Sequence, residues 1–107
     1  MIERKILLAF IRIHILYHAT FDQQGIHGAG MITELKHHGY SISPGTLYPI
    51  LHTMTQQGLL RMNTEIVKSK QRKVYTTTEE GKETLSKLIH FIEELSMEVV
   101  ENYHSQH

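Results

Sequence analysis

The hydrophobic positions follow two different periods along the chain, and each change of period marks a new element. Residues 4–20 lack glycine and proline and carry apolar side chains on nearly every side, at Ile6, Leu7, Phe10, Ile11, Ile15 and Leu16. That pattern predicts a helix buried on several faces. In so small a chain, such a helix is expected to pack on its own domain and on a second subunit. Asp22-Gln23-Gln24-Gly25 is a loop signal. A short helix is predicted over residues 30–38, with Met31, Ile32 and Leu35 on one side and Gly39 placed to stop it. Tyr40-Ser41-Ile42 is a brief extended link, and Ser43-Pro44 opens the next helix. Serine is a favoured N-cap, and proline loses nothing at the first helical position. Leu47, Ile50, Leu51 and Met54 then recur at spacings of three and four until Gly58. Pro49 opposes this reading, because an interior proline removes a backbone bond and should bend the helix or open its first turn.

From Leu60 the period becomes two. Residues 60–66 read as a strand, Lys68-Ser69-Lys70-Gln71 as a polar turn, and residues 72–77 as a second strand rich in β-branched and aromatic side chains. Val74 and Tyr75 alternate, so one faces the core, and Tyr75 is expected to pack there with its hydroxyl in water. Residues 78–103 read as a long helix capped by Thr77 or Thr78, with capping-box spacing in Thr77-x-x-Glu80. Leu85, Leu88, Ile92, Leu95 and Val99 form a seam of the kind helices use to pair, but about two heptads are too few for a free-standing coiled coil. The expected fold is mainly α with a small β-hairpin. A winged helix-turn-helix fills residues 1–77. A dimerisation helix over residues 78–107 packs with the helix at 4–20 as one structural unit.

Charge sharpens the picture. The 107 residues hold 11 basic and 11 acidic side chains, a net charge of zero, which on its own argues against nucleic acid. The distribution argues the other way. Residues 58–77 set five basic side chains against Glu65 alone, a net of +4, whereas residues 78–107 set two lysines against seven glutamates, a net of −5. Two oppositely charged segments suggest two surfaces with different tasks. A chain of this length buries a modest fraction of its surface, so a shared core would help it. With no cysteine, disulfides, thiolate catalysis and cysteine-ligated zinc are excluded. Arg12 and His14 break the N-terminal apolar run, which is too short and polar to span a bilayer and is followed by no cleavage signal. The expected location is the cytoplasm, with no membrane partner.

Two short helices joined by a tight link match a helix-turn-helix, whose second helix enters the DNA major groove. A basic hairpin beside it would lie along the phosphates, which fix register while base edges carry specificity. The predicted recognition helix presents Ser43, Thr46, Tyr48 and His52 in its first turns, and Gly45 would let a backbone approach closely. Its hydroxyls and N–H groups suit a phosphate oxygen, although Ser43 acting only as a cap is an equally good local reading.

Ser43-Pro44-Gly45-Thr46-Leu47-Tyr48-Pro49-Ile50-Leu51, followed by Gln57-Gly58-Leu59-Leu60, resembles the recognition-helix signature of the PadR family of bacterial transcriptional regulators. Arg72-Lys73-Val74-Tyr75-Thr76-Thr77-Thr78-Glu79-Glu80-Gly81 is similar to the family's second wing strand and last helix start. The short C-terminal region resembles the small subclass with a single dimerisation helix. The resemblance implies DNA contacts at Ser43, Thr46 and Tyr48, wing contacts from Lys70, Arg72 and Lys73, and exchange of the first and last helices between subunits. It also implies that Pro49 is accommodated within the helix. Lys68 completes the basic wing. The wing tip departs from the pattern in lacking glycine or proline, and the chain has no tryptophan with which to stack a flat ligand.

The expected function is sequence-specific DNA binding by a homodimer on an inverted-repeat operator, as a repressor. The resemblance also implies control by a small-molecule effector between the first and last helices, lined by Phe10, His14, Met97 and Tyr103. The alternative is a winged-helix protein-interaction module without specific DNA binding, motivated by the zero net charge. No phosphate-binding glycine loop, nucleophile elbow or acid–base pair supports an enzyme. His14 and His18, four apart on a helix, form half of a zinc site. With no HExxH motif and no acidic or cysteine ligand evident nearby, no metal and no cofactor is assigned. His37-His38 read as a helix end, favoured by the dipole, and His104 and His107 as a frayed tail.

Overall fold

Ile11, Ile15, Leu16 and Ala19 form the buried stripe of the first helix, α1 (Arg4–Phe21). Around them gather Met31 and Leu35 of α2 (Gly28–His37), and Leu47, Leu51 and Met54 of α3 (Pro44–Gln56). Leu60 of β1 (Leu60–Val67), Tyr75 of β2 (Lys70–Thr77) and Leu85 of α4 (Glu79–Leu95) complete the cluster. Burial of each such side chain is worth about 1.5–3 kcal/mol. This one core fixes α3 and the hairpin relative to α1 and α4. The computed structural model describes residues 2–106. Met1 and His107, and with them the tail reading of His107, lie outside the described residues.

Most predicted elements appear at their expected places. The differences have local causes. α2 begins two residues earlier than expected, because His27 serves as its N-cap and its Nδ1 accepts from the Gly30 N–H at 3.2 Å. His37 and His38 do close that helix, followed by Gly39 at φ +91°. α3 runs through Pro49 without a break. The residue four before Pro49 is Gly45, which has no side chain for the ring to meet, and Thr53 Oγ1 donates to the Pro49 carbonyl at 2.9 Å.

β1 and β2 pair antiparallel from Leu60↔Thr77 to Val67↔Lys70, leaving a two-residue turn at Lys68 and Ser69. Both turn residues take positive φ, 51° and 66°, as a tight hairpin turn demands. The alternation expected at Val74 and Tyr75 is overridden, since both are buried, at 8% and 4% exposed. Tyr75 enters the core. Val74 lies under the loop before α2, where a β-carbon on Gly25 would stand 2.6 Å from its Cγ1. That loop adds a one-residue bridge, with the Ile26 and Tyr75 N–H groups each donating to the other's carbonyl at 2.9 and 2.8 Å.

Thr78, and not Thr77, caps α4. Its hydroxyl accepts from the Gly81 N–H at 3.0 Å and donates to the Gly58 carbonyl at 2.5 Å, tying the end of α3 to the start of α4. After Leu95 the helix widens into a π-helical stretch (Ser96–Glu101), then resumes as α5 (Asn102–Gln106). His104 lies within α5, its ring edge-on to Tyr103, so the frayed tail is corrected to a helical turn at that residue.

Candidate nucleic-acid interface

Burial of Leu47, Leu51 and Met54 on one side of α3 turns Gly45, Tyr48 and His52 to solvent on the other. Positions three and four apart share a helix face, so these three form one outward row. Ser43 stands at the N-cap but makes no capping hydrogen bond; its Oγ lies 3.4 Å from Thr46 Oγ1 instead. Thr46 is half-buried and Ser43 exposed. The start of α3 therefore offers hydroxyls and first-turn N–H groups where the helix dipole is positive. At Gly45 an added β-carbon would meet only Ser43 Oγ, at 3.7 Å, so the chain itself leaves that spot open.

Tyr48 is 42% exposed yet held in place. A β-carbon on Gly28 would stand 2.2 Å from its hydroxyl, so the ring leans on the first residue of α2. The Tyr75 hydroxyl is pushed above the usual tyrosine range, first by burial and then by Tyr48.

In the hairpin the register sets Glu65 opposite Arg72. Arg72 Nε donates to Glu65 Oε1 at 2.8 Å, and a second guanidinium nitrogen reaches the same oxygen. The charge of Arg72, expected on the wing, thus has a partner across the strands. Lys68, Lys70 and Lys73 are exposed and make no ion pair among the described residues.

The seam on the last helix divides. Leu85 is only 4% exposed and sits in the core of its own chain, and Leu88 packs against that core. The expectation that Leu85 lies at a subunit interface is therefore corrected, because α1 and β2 already cover the first turns of α4. Ile92, Leu95 and Val99 are exposed, and Phe91 and Val100 with them. Beyond Leu95 the π spacing also takes Val99 out of the α-helical step that links the others.

α4 runs antiparallel to α1 and leaves two cavities along the groove. One of 410 Å³ is lined by Ile6, Phe10, Leu88, Phe91 and Leu95, and one of 440 Å³ by His14, Tyr17, Ile89 and Ile92 among others. Phe10 and His14 thus fall in neighbouring cavities. Met97 and Tyr103, expected beside them, line neither. Leu95 already lies at Lys5 and Ile6 in the first turns of α1, so the helix beyond it has no α1 left to face. The His14 ring is held below the ordinary histidine range, chiefly by burial, then by His38 and His18, with Glu34 opposing.

Comparison with known proteins bears on the same residues. The Transcriptional regulator PadR-like family profile matches residues 15–87, which include α2, α3 and the hairpin. The Transcriptional regulator Rv3488 of Mycobacterium tuberculosis is 41% identical over 97 residues, covering 91% of this chain and 89% of that protein. Among solved structures, a PadR-like transcriptional regulator from Bacillus cereus superposes with a TM-score of 0.79 at 27% identity, covering 92% of this chain and 95% of that one. A PadR family transcriptional regulator from Eggerthella lenta gives a TM-score of 0.69 at 27% identity, over 92% and 89%. No helix among the described residues is long and apolar enough to cross a membrane.

Proposed function

Because the chain belongs to the PadR-like family of transcriptional regulators, and so is a regulator and not an enzyme, we propose that it binds an inverted-repeat operator as a homodimer and represses by occupying it. The observation that carries this reading is the outward row of α3. Gly45, Tyr48 and His52 face solvent while Leu47, Leu51 and Met54 anchor the opposite side. Such a helix can enter a major groove without losing its core. Ser43 and Thr46 then meet a backbone phosphate at the helix start. Lys68, Lys70 and Lys73 carry the wing along the adjoining phosphates. Arg72 joins them only by exchanging Glu65 for a phosphate.

The dimer is supported by the apolar side chains that α1 and α4 leave exposed, Ile6, Phe10, Phe91, Ile92 and Leu95 among them. Contiguous apolar surface of this kind marks an interface. Pairing along that groove would hold two α3 helices about 34 Å apart, one helical turn of DNA. An apolar small molecule in the groove beside Phe10 and His14 would alter that separation and release the operator. Met97 and Tyr103 of one subunit would then reach the groove of the other.

Footprinting on fragments selected from the parent genome tests the reading. The expected result is a protected inverted repeat whose affinity falls with salt. If six lysines of a dimer each replace a phosphate counterion, the log–log slope is about −5. Equal affinity for selected fragments and random duplex would overturn it in favour of a protein-interaction module.

A further inference from the structure

α1 and α2 each bring to a common face a pair of side chains four residues apart: His14 and His18 on α1, Glu34 and His38 at the end of α2. Residues at that spacing stack on one side of a helix. One ring nitrogen from each of His14, His18 and His38 lies within 4.8 Å of the other two. Glu34 Oε1 stands 3.2 Å from His38 Nε2 and 3.5 Å from His18 Nε2. All four side chains open on the 440 Å³ cavity, whose remaining walls include Leu85 and Ile89. Tyr40 meets the His14 ring edge-on at a centroid distance of 5.1 Å, and His38 stacks on it at 4.8 Å.

We propose that His14, His18, Glu34 and His38 form a binding site for a divalent transition metal of the zinc class. Three imidazoles and one carboxylate complete a tetrahedral set for such an ion, whereas magnesium and calcium require shells of oxygen. Donors bonded to zinc at about 2.05 Å stand about 3.3 Å apart in a tetrahedron. The three imidazole nitrogens close from 4.8 Å toward that value by side-chain rotation, since none of the four side chains is fully buried, and Glu34 already stands within 3.5 Å of two of them. A plain ion-pair cluster accounts for less. Glu34 pairs with His18 and His38, but His14 makes no hydrogen bond among the described residues, and the side chains packed on it are rings. A metal gives its lone pair a partner. Sequence reading found half of this set in His14 and His18. The other half was written in Glu34-x-x-x-His38, and only the packing of α2 on α1 reveals that the two halves meet.

The test titrates the metal-free, full-length protein with Co²⁺ and then with Zn²⁺. One Co²⁺ per chain should give the intense visible absorption of tetrahedral coordination, and Zn²⁺ should bleach it by displacement. His14→Ala and His38→Ala should each weaken binding by at least ~10-fold, the low end of what outer-shell losses cost. Glu34→Gln, which preserves shape, should weaken it while leaving circular dichroism unchanged, and it serves if an alanine variant fails to fold. His90→Ala, on exposed α4 outside the cluster, should change nothing; this control matters because the chain carries nine histidines. Pale octahedral Co²⁺, or unchanged affinity in His14→Ala and Glu34→Gln, would overturn the proposal in favour of casual binding by surface histidines. The readout involves no DNA, so it stands or falls apart from the operator reading.

Discussion

Two glycines place demands on their neighbours that a single methyl group would expose. At Gly28 the added β-carbon would collide with the tip of Tyr48, which can swing away into solvent. Gly28→Ala should therefore leave the thermal midpoint nearly unchanged while weakening operator binding about as much as Tyr48→Ala does, as gel-shift titration would read. A loss of roughly 1–3 kcal/mol is expected if Tyr48 reads a base edge; unaltered binding in both variants would remove Tyr48 from the interface. At Gly81 the collision is with backbone, 2.3 Å from the Leu59 carbonyl oxygen, which cannot swing away. Gly81→Ala should cost about 1–3 kcal/mol as overpacking. For a domain of this size each kilocalorie lowers the melting temperature by roughly 4–8 °C.

At the scale of elements, the hairpin turn stores strain. Lys68 and Ser69 sit at positive φ without being glycine, and left-handed backbone costs an L-residue about 1–2 kcal/mol. Ser69→Gly should therefore raise the unfolding free energy by up to about 1 kcal/mol, after allowing for the entropy glycine loses on folding, and the unfolding midpoint with it. A lowered midpoint would mean that the serine side chain contributes more than its backbone costs. The missing glycine was legible in the sequence, as were α1, α3 and most of α4, because long apolar periods and Ser43-Pro44 are local signals. The outward row on α3 was legible for the same reason. What escaped reading was non-local. His27 caps α2 through an imidazole, which no usual capping rule anticipates. Ile26 pairs with Tyr75 as a single residue, too short to show a period. Leu85 was assigned to a partner because the seam alone does not say how far α1 extends beneath it, and Glu65 opposite Arg72 required the strand register.

At the scale of the whole molecule, the axes of 56 × 30 × 21 Å describe a head with a projecting helix. Leu95→Glu, placed on the exposed part of that helix, should turn the proposed dimer into a monomer in light-scattering chromatography and reduce operator affinity by more than tenfold, with the head still folded. A dimer that survives the change would relocate the interface. The same elongated body has a net charge of +4 over residues 58–77 and −5 over residues 78–107, while the sum stays at zero with a pI of about 7.1. Such a particle has no net repulsion to keep its copies apart near neutral pH, and the unlike ends of two molecules attract over about 10 Å at 0.1 M salt and farther in dilute buffer. Concentrated stocks should turn cloudy on dialysis into low-salt buffer at pH 7 and clear again when salt is restored, so this regulator is best stored in brine and assayed in the narrow window where its operator still holds it.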